Sequence, residues 1–406
     1  MLKELSKNWR LSDEIKALHE RGLFRKMPEV SGFPGRFIEV DGQHALNFSS
    51  NNYLSLAGSP EIIQAFSQAA QIHGVGSTAS RLIAGNCPSH RELEEFIGKW
   101  KQTEAALVFG SGYQANIGIL TSLSDTGDLI ISDELNHASI IDGARLSRAT
   151  ISVYKHLDIN MAEDALRKQG FRRKILVTES VFSMDGDHAP LRELSSLCLK
   201  YGALLVVDEA HATGIYGPSG EGLCAELEVA PDVHMGTLGK ATGVSGAYVA
   251  GSRDLIDILI NRARSFIFTT APCPAVSAAA IKSLEIITSS EGAHRRALLK
   301  RNVEIMDKKL KQIFPAGRNP SHIQPIPVGR SDLTMKMSGL CLNRGLFVQG
   351  IRYPSVHEGS ARLRLTLMSA HTIEDIEKAY NTIHSLSSGL EKSPSNYEGK
   401  PISRPS

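Results

Sequence analysis

The fold class is indicated most directly by an apolar run that ends in a carboxylate, Ala203-Leu204-Leu205-Val206-Val207-Asp208-Glu209-Ala210-His211. A short, continuous apolar run is typical of a strand buried on both faces of a parallel sheet. In open α/β sheets, ligands bind beyond the carboxyl ends of the strands, so Asp208 stands where a ligand would lie. Taken singly, such an aspartate is more often a helix cap or an ion-pair partner.

Similar apolar runs recur on both sides of this segment and alternate with segments of helical spacing. They cover residues 105–109, 129–131, 151–154, 174–178, 204–207 and 246–250. Short strands separated by helices indicate a mostly parallel sheet that is covered on both faces. We therefore predict an α/β fold with a large, mostly parallel sheet.

The pattern changes on either side of this region. Before it, residues 9–26 have helical spacing, and residues 37–48 resemble a hairpin that turns at Asp41-Gly42. After it, a long charged helix is predicted at 293–313, followed by further elements. These are strands at 323–328, 346–349 and 361–367 and a helix at 372–387.

These changes divide the chain into four predicted parts. The last part is rich in Ser, Pro, Gly and Lys and cannot bury a core, so we expect it to be disordered. The parts are an N-terminal helix and hairpin at 1–48, a large ligand-binding domain at 49–288, a smaller α+β domain at 289–388 and a disordered tail at 389–406.

Composition narrows the class of protein. The 406 residues carry a formal net charge of only +2, which argues against a dedicated nucleic-acid binder. The five cysteines form no CxxC pair, which argues against a zinc or redox motif and favours reduced thiols in the cytosol. The amino terminus lacks the apolar stretch of a signal peptide, and no apolar run approaches the roughly 20 residues that span a bilayer. We expect a cytoplasmic enzyme without a membrane span.

A lysine among small residues follows Asp208 by about thirty positions, in Gly236-Thr237-Leu238-Gly239-Lys240-Ala241-Thr242-Gly243. Pyridoxal phosphate (PLP) enzymes need an aspartate to keep the pyridine nitrogen protonated and a lysine to form a Schiff base. Thr237 could bind the phosphate, and His211 could donate a hydrogen bond to the phenolic oxygen. Alone, the lysine fits a surface turn equally well. The combination predicts a PLP enzyme.

Three more loops that follow predicted strands carry candidate residues. Gly110-Ser111-Gly112-Tyr113 opens a helix whose backbone N–H groups could bind a phosphate, although a tight turn there is common. The single G-x-G and the absence of a Walker lysine disfavour dinucleotide and NTP binding. His137 could stack on a planar ring or merely begin a helix. Ser183 would face the same edge, unless its loop only serves the turn at Asp185-Gly186. His188 follows two aspartates, but no second His/Cys cluster supports a metal site.

Two arginines alternate along the predicted strand at 361–367, so Arg362 and Arg364 share a face. An arginine that faced the site could hold a substrate carboxylate through two hydrogen bonds. Taken singly, an arginine on an edge strand is usually solvated.

Together, these segments resemble the α-oxoamine synthases, PLP enzymes of fold type I with an aspartate aminotransferase-like fold. The resemblance runs from about residue 18 to 388, through segments 47–54, 74–77, 90–94, 180–187, 208–214, 236–246 and 362–372. Segments 243–246 and 362–367 are most similar to the branch that makes 8-amino-7-oxononanoate in biotin biosynthesis. They are less similar to 2-amino-3-ketobutyrate CoA ligase, 5-aminolevulinate synthase and serine palmitoyltransferase.

The resemblance implies a role for each candidate residue. The implied catalytic residues are Lys240 (Schiff base), Asp208 (pyridine nitrogen), His137 (ring stacking) and His211 (phenolic oxygen). The implied cofactor contacts add Ser111, Gly112, Tyr113, Ser183, Thr237 and Thr270. Thr270 would donate to the phosphate held by the other chain of a homodimer with shared active sites. The implied substrate contacts are Arg25 and Ser355 for the acyl group, Asn51, and Arg364 for the amino-acid carboxylate.

The implied reaction is the decarboxylative condensation of L-alanine with pimeloyl-CoA or a pimeloyl carrier protein. Lys240 would remove the Cα proton, and the products would be 8-amino-7-oxononanoate, CO₂ and the thiol. One alternative is a related synthase that uses glycine with acetyl-CoA, or serine with a long-chain acyl thioester. Another is an aminotransferase or lyase, which would release no thiol. A third is a non-catalytic subunit, which the intact Lys240 and Asp208 disfavour.

Overall fold

The computed structural model describes residues 10–314 and 320–387, so the tail predicted at 389–406 lies outside the described residues. The described helices are α1 (Leu11–Glu20), α2 (Pro60–His73), α3 (Pro88–Trp100), α4 (Gly112–Leu123), α5 (Ala138–Leu146), α6 (Ile159–Arg167), α7 (Leu191–Tyr201), α8 (Leu223–Glu226), α9 (Arg253–Arg262), α10 (Arg264–Ile267), α11 (Pro274–Thr288), α12 (Ser290–Leu310), α13 (Ser331–Asn343) and α14 (Ile373–Ser387). The described strands are β1 (Val30–Ser31), β2 (Phe37–Val40), β3 (Gln43–Asn47), β4 (Ala105–Phe109), β5 (Leu129–Asp133), β6 (Thr150–Tyr154), β7 (Lys174–Glu179), β8 (Leu204–Asp208), β9 (Val233–Thr237), β10 (Ala247–Gly251), β11 (Ile323–Gly329), β12 (Leu346–Phe347), β13 (Gln349–Ile351) and β14 (Ala361–Thr366).

A seven-stranded sheet forms the centre of the described chain, in the order β4-β10-β9-β8-β7-β5-β6. β10 is antiparallel to both of its neighbours, and the remaining pairs are parallel. Helices cover both faces: Val206 packs with α4, α5 and α9, whereas Leu205 and Val207 pack with α6 and α7. The predicted α/β fold with a mostly parallel sheet is therefore confirmed.

Strand β9 was not predicted from the sequence. His234 and Gly236 interrupt its apolar run, and only the pairing with β8 and β10 makes the segment a strand. β9 pairs in parallel with β8 so that Met235 lies opposite Asp208. This strand ends at Thr237 and brings Lys240 to the edge where Asp208 lies.

The smaller sheets join the two ends of the chain. The predicted hairpin forms between β2 and β3, with Val40 opposite Gln43, and β12 adds to it in parallel. The predicted strand at 346–349 is divided, because β13 pairs instead with β14 in a second, antiparallel sheet that also contains β11. The division of the chain into domains at residues 48, 288 and 388 stays a prediction.

Helix boundaries differ modestly from the predicted ones. The first helix ends at Glu20 rather than near residue 26, and the long charged helix covers Ser290–Leu310 rather than 293–313. Within residues 10–314 and 320–387, no helix has the length and hydropathy needed to cross a bilayer.

Candidate active site

The candidate residues lie at one edge of the large sheet. Because β10 is antiparallel to both β4 and β9, β4 points the same way as the parallel strands. The loops after these strands therefore leave the sheet at the same edge. They carry Ser111–Tyr113 after β4, His137 after β5, Ser183 after β7, His211 after β8 and Lys240 after β9.

Asp208 ends β8 and is buried, with both carboxylate oxygens held by hydrogen bonds. Its Oδ2 accepts from Nδ2 of Asn116 at 2.8 Å, and its Oδ1 accepts from the backbone N–H of Ala210 at 2.8 Å. Asn116 also donates to Oγ of Ser139 at 2.9 Å, so its amide is oriented from two sides. The sequence analysis gave Asn116 no role.

Lys240 offers an amine with a lowered proton affinity. Burial lowers the pKa of Lys240 from its usual range, although the nearby charge of Asp208 opposes this effect. Among the described residues, its amine has no hydrogen-bond partner, so it is free to react. A lysine with a depressed pKa is suited to nucleophilic attack and to proton transfer.

Glu179 is a second buried carboxyl beside Asp208, and sequence analysis missed it. The two residues are paired across the parallel strands β7 and β8. Burial, with the charge of Asp208, raises the pKa of Glu179 to about 8, so the group carries a proton at neutral pH. Its Oε1 is buried and has no partner among the described residues. The signal available in the sequence was an acid at a strand end, as for Asp208.

A hydrogen-bonded chain connects His211 with the residues predicted to bind substrate. The hydroxyl of Tyr53 lies 2.8 Å from Nδ1 of His211 and donates to Oδ1 of Asn51 at 2.8 Å. Asn51 Oδ1 also accepts from Nη1 of Arg364 at 3.1 Å. Burial, followed by the charge of Lys240, lowers the pKa of His211 far below its usual range, so its imidazole is neutral. Tyr53, which had no predicted role, joins the two groups.

Arg362 and Arg364 share a face of β14, as predicted, and both reach the loop that carries Ser183. Nε of Arg364 donates to the carbonyl of Ser183 at 2.6 Å. Nη1 of Arg362 forms a short ion pair with Asp185 in the same loop. Arg362 therefore supports this loop, whereas Arg364 also contacts Asn51 and Tyr53.

The start of α4 packs closely against β9. Ser111 is the N-cap residue, and its Oγ accepts from the N–H of Gln114 at 3.2 Å. A Cβ on Gly112 would lie 2.8 Å from Cγ2 of Thr237, so a glycine is required for this approach. Tyr113 donates to Asp142, and its ring stands edge-on to His137 at 6.5 Å. Burial lowers the pKa of His137, which favours the neutral ring.

Other predicted site residues lie apart from this cluster. Nη2 of Arg25 donates to Oγ of Ser355 at 3.3 Å beside a cavity of about 630 Å³. The same cavity is lined by Arg352, a residue that the sequence analysis did not single out. Thr270 is exposed, so its contact with a second chain stays a prediction, as does the homodimer.

The described residues fit PLP. A buried carboxylate suits a pyridine nitrogen, and the exposed, neutral imidazole of His137 suits stacking on the ring. Thr237 and the first N–H groups of α4, which helix hydrogen bonds leave free, suit a phosphate. The amine of Lys240 lies near the carboxyl groups of Asp208 and Glu179. The roles assigned to individual residues stay predictions.

Comparisons with known proteins identify relatives along almost the whole chain. The family model for aminotransferase class I and II matches residues 43–383. An 8-amino-7-oxononanoate synthase from Citrifermentans bemidjiense is 48% identical over 383 residues, which cover 93% of this chain and 98% of that protein. A solved serine palmitoyltransferase from S. paucimobilis with a bound PLP–myriocin aldimine has a TM-score of 0.88 at 28% identity, covering 95% of this chain and 98% of its own. A solved 8-amino-7-oxononanoate synthase from Francisella tularensis has a TM-score of 0.74 at 27% identity, covering 85% and 98%.

Proposed function

This chain belongs to the aminotransferase class I and II family, and on that premise we propose that it condenses L-alanine with a pimeloyl thioester. The products would be 8-amino-7-oxononanoate, CO₂ and the free thiol, as a step of biotin biosynthesis. The chain is a PLP-dependent acyltransferase. Its similarity to a named 8-amino-7-oxononanoate synthase over 98% of that protein supports the choice of reaction.

The residues at the sheet edge would hold the cofactor at several points. Asp208 would contact the pyridine nitrogen, Lys240 the aldehyde carbon, and Thr237 with the start of α4 the phosphate. His137 would cover one face of the ring. When bound, PLP supplies an electron sink for the carbanion formed at the Cα atom of an amino acid.

The protein's own groups would control the protons and charges of the reaction. Lys240 can take a proton from Cα because its lowered pKa leaves a fraction of the amine neutral. The ionised Asp208 keeps a positive charge on a pyridine nitrogen favourable. Glu179 carries a proton and therefore adds no second negative charge beside Asp208.

Arg364 would bind the carboxylate of alanine. Arg364 belongs to a series of hydrogen bonds that runs through Asn51 and Tyr53 to His211. Its position is therefore coupled to the neutral imidazole. A planar guanidinium can offer two parallel donors to a carboxylate.

Replacing Arg364 with lysine should raise the KM for alanine by about tenfold and lower kcat, because lysine keeps the charge but loses the planar two-point contact. Steady-state thiol release, with each substrate varied in turn, measures both constants. The KM for the acyl thioester should hardly change. Arg362→Lys is the matched comparison, and its effect on the alanine KM should be milder because Arg362 pairs with Asp185. Equal effects of the two substitutions on the alanine KM would contradict this assignment.

One observation supports the choice of a pimeloyl chain: Arg25 and Arg352 line the 630 Å³ cavity, and neither has a carboxylate partner among the described residues. Arg352 is buried, and its Nη2 donates to the carbonyl of Phe24 at 2.8 Å, while its Nε has no partner among the described residues. Burial and the nearby charge of Arg25 lower the pKa of Arg352. Like charges in one cavity favour a ligand with an anionic end, and a pimeloyl chain ends in a free carboxylate. Acetyl groups and long alkyl chains have no terminal carboxylate.

Replacing Arg352 with methionine should raise the KM for a pimeloyl thioester by about tenfold or more, since one charge-assisted hydrogen bond is worth roughly 1.5–3 kcal/mol. Heptanoyl thioester has the same number of carbons but no terminal carboxylate, so its KM should not rise. Thiol release with both thioesters gives the comparison. Arg330→Met, which removes an exposed arginine paired with Asp332, is the control. An equal rise in KM for the heptanoyl and pimeloyl thioesters would show that Arg352 does not bind the terminal carboxylate.

A panel of amino acids and acyl thioesters tests the reaction itself. Alanine, glycine and serine are each combined with pimeloyl, acetyl and palmitoyl thioesters, and thiol release and the condensed product are measured. Alanine with the pimeloyl thioester should give the highest kcat/KM. Preference for glycine with acetyl, or serine with palmitoyl, would favour a related synthase. Amino transfer without thiol release would contradict the assignment of the protein as an acyltransferase.

A further inference from the structure

His156 lies between two carboxylates, on the loop that joins β6 to α6. Its Nδ1 is 2.9 Å from Oδ1 of Asp133, and its Nε2 is 2.9 Å from Oδ2 of Asp187. An ionised carboxylate can only accept hydrogen bonds, so both ring nitrogens donate and the ring is an imidazolium. Burial opposes this charge, but the two aspartates prevail and raise the pKa of His156 to about 10.

The two aspartates belong to different loops of the active site. Asp133 ends β5 and precedes residues 134–137, here called the His137 turn. Its carboxylate also accepts from the backbone N–H groups of Leu135 at 2.9 Å and Leu157 at 3.0 Å. Asp187 ends residues 180–187, here called the Ser183 loop. The imidazolium of His156 therefore connects two loops that carry predicted cofactor contacts.

The ring of His156 also packs within the Ser183 loop. It stands edge-on to Phe182, with the ring centroids 4.4 Å apart. Phe182 is buried and directly precedes Ser183, whose carbonyl accepts from Arg364. A shift of the His156 ring would therefore be transmitted to the backbone that Arg364 contacts.

We propose that His156 is a positioning residue, which bridges Asp133 and Asp187 and so sets the separation of the His137 turn and the Ser183 loop. It touches neither the reacting atoms nor the substrate. By fixing this separation, it determines how tightly and in what orientation the cofactor is held between the two loops. The proposal depends on the PLP assignment but not on alanine or the pimeloyl chain as substrates.

The test replaces His156 with glutamine in the PLP-loaded protein and measures the cofactor Kd and the induced circular dichroism of its visible band. A glutamine amide offers one donor side and one acceptor side, so its oxygen would face one of the two carboxylates. We expect the Kd to rise about tenfold and the induced band to fall by more than half. Neither readout uses an amino acid or a thioester, so the result is independent of the proposed reaction.

A second substitution should rescue the first. With Asp187→Asn added to His156→Gln, the glutamine can donate to Asp133 and accept from the new amide, which restores a bridge without charge. The double variant should recover most of the induced band. If His156→Gln does not fold, Asp187→Ala alone removes the acceptor of Nε2 at the more exposed end of the bridge, and the same loss is expected.

The control is Arg36→Gln, which removes another ion pair away from the sheet edge, between Nε of Arg36 and Oδ2 of Asp375 at 2.9 Å. This variant should keep the cofactor Kd and the induced band. A wild-type band and Kd in His156→Gln would overturn the proposal. So would a double variant that is as impaired as the single one, or an Arg36→Gln variant with the same spectral loss.

Discussion

Lys240→Ala should reduce the condensation of alanine with a pimeloyl thioester by about 10²–10⁴-fold or more, the range expected when a proton-transfer group is removed. The substitution takes away an amine that lies near both Asp208 and Glu179. Turnover is measured by thiol release under saturating substrates. Borohydride reduction followed by peptide mapping should place the cofactor on Lys240 in the wild type and on no lysine in the variant.

The protein should still fold, because the side-chain amine of Lys240 has no hydrogen-bond partner among the described residues, and the backbone carbonyl that accepts from Gly243 is kept in the variant. We expect an unchanged far-ultraviolet spectrum and weak, non-covalent retention of PLP. Lys155→Ala, which removes an exposed lysine from the surface, is the control and should keep full turnover. A reduced adduct on a different lysine of the wild type would disprove the assignment.

Asp208→Asn should lower turnover by between about tenfold and 150-fold, which corresponds to the roughly 1.5–3 kcal/mol of a charge-assisted hydrogen bond. An amide has nearly the same volume as the carboxylate but cannot stabilise a positive charge on a pyridine nitrogen. The fold should persist because the asparagine oxygen can still accept from one of the two present donors, Asn116 or Ala210.

The matched control, Asp232, directly precedes β9 and contacts the opposite end of β8 from Asp208. Oδ2 of Asp232 accepts from the N–H of Leu205 at 2.8 Å, far along β8 from Asp208. Asp232→Asn should therefore leave turnover and cofactor affinity unchanged. Thiol release and the spectrum of the bound cofactor are measured for both variants. Near wild-type turnover in Asp208→Asn would remove this residue from its proposed role.

The parts of the fold predicted correctly are those encoded by local patterns. In the strands at 105–109 and 174–178, every residue except the half-buried Lys174 is buried by the sheet or its covering helices, so nearly every position is apolar. The hairpin at Asp41-Gly42 depends on a turn of two residues. β9 was missed because its His234 and Gly236 are tolerated only between two strands that supply its hydrogen bonds.

The candidate site also contains residues that local sequence patterns reveal and residues that only the folded structure reveals. Asp208 and Lys240 could be singled out because each stands in a recognisable segment, a strand end and a turn of small residues. Asn116, Glu179 and Arg352 were not singled out, since the roles of these residues depend on neighbours that are distant in sequence. Only the folded chain shows that Arg362, two residues from Arg364 on the same strand, pairs with Asp185 and supports the loop of Ser183.

By itself, the sequence determined the α/β class, the order of most strands along the chain and the segments that carry Asp208 and Lys240. These properties depend on neighbours a few positions away, through hydrophobic periodicity and turn preferences. The tertiary structure alone decided that Glu179 is protonated, that Arg352 faces a cavity and that His156 bridges two aspartates. Burial and charge at these groups are set by residues distant in sequence, such as Asp187, 31 positions from His156, and only the folded chain brings them within hydrogen-bonding distance.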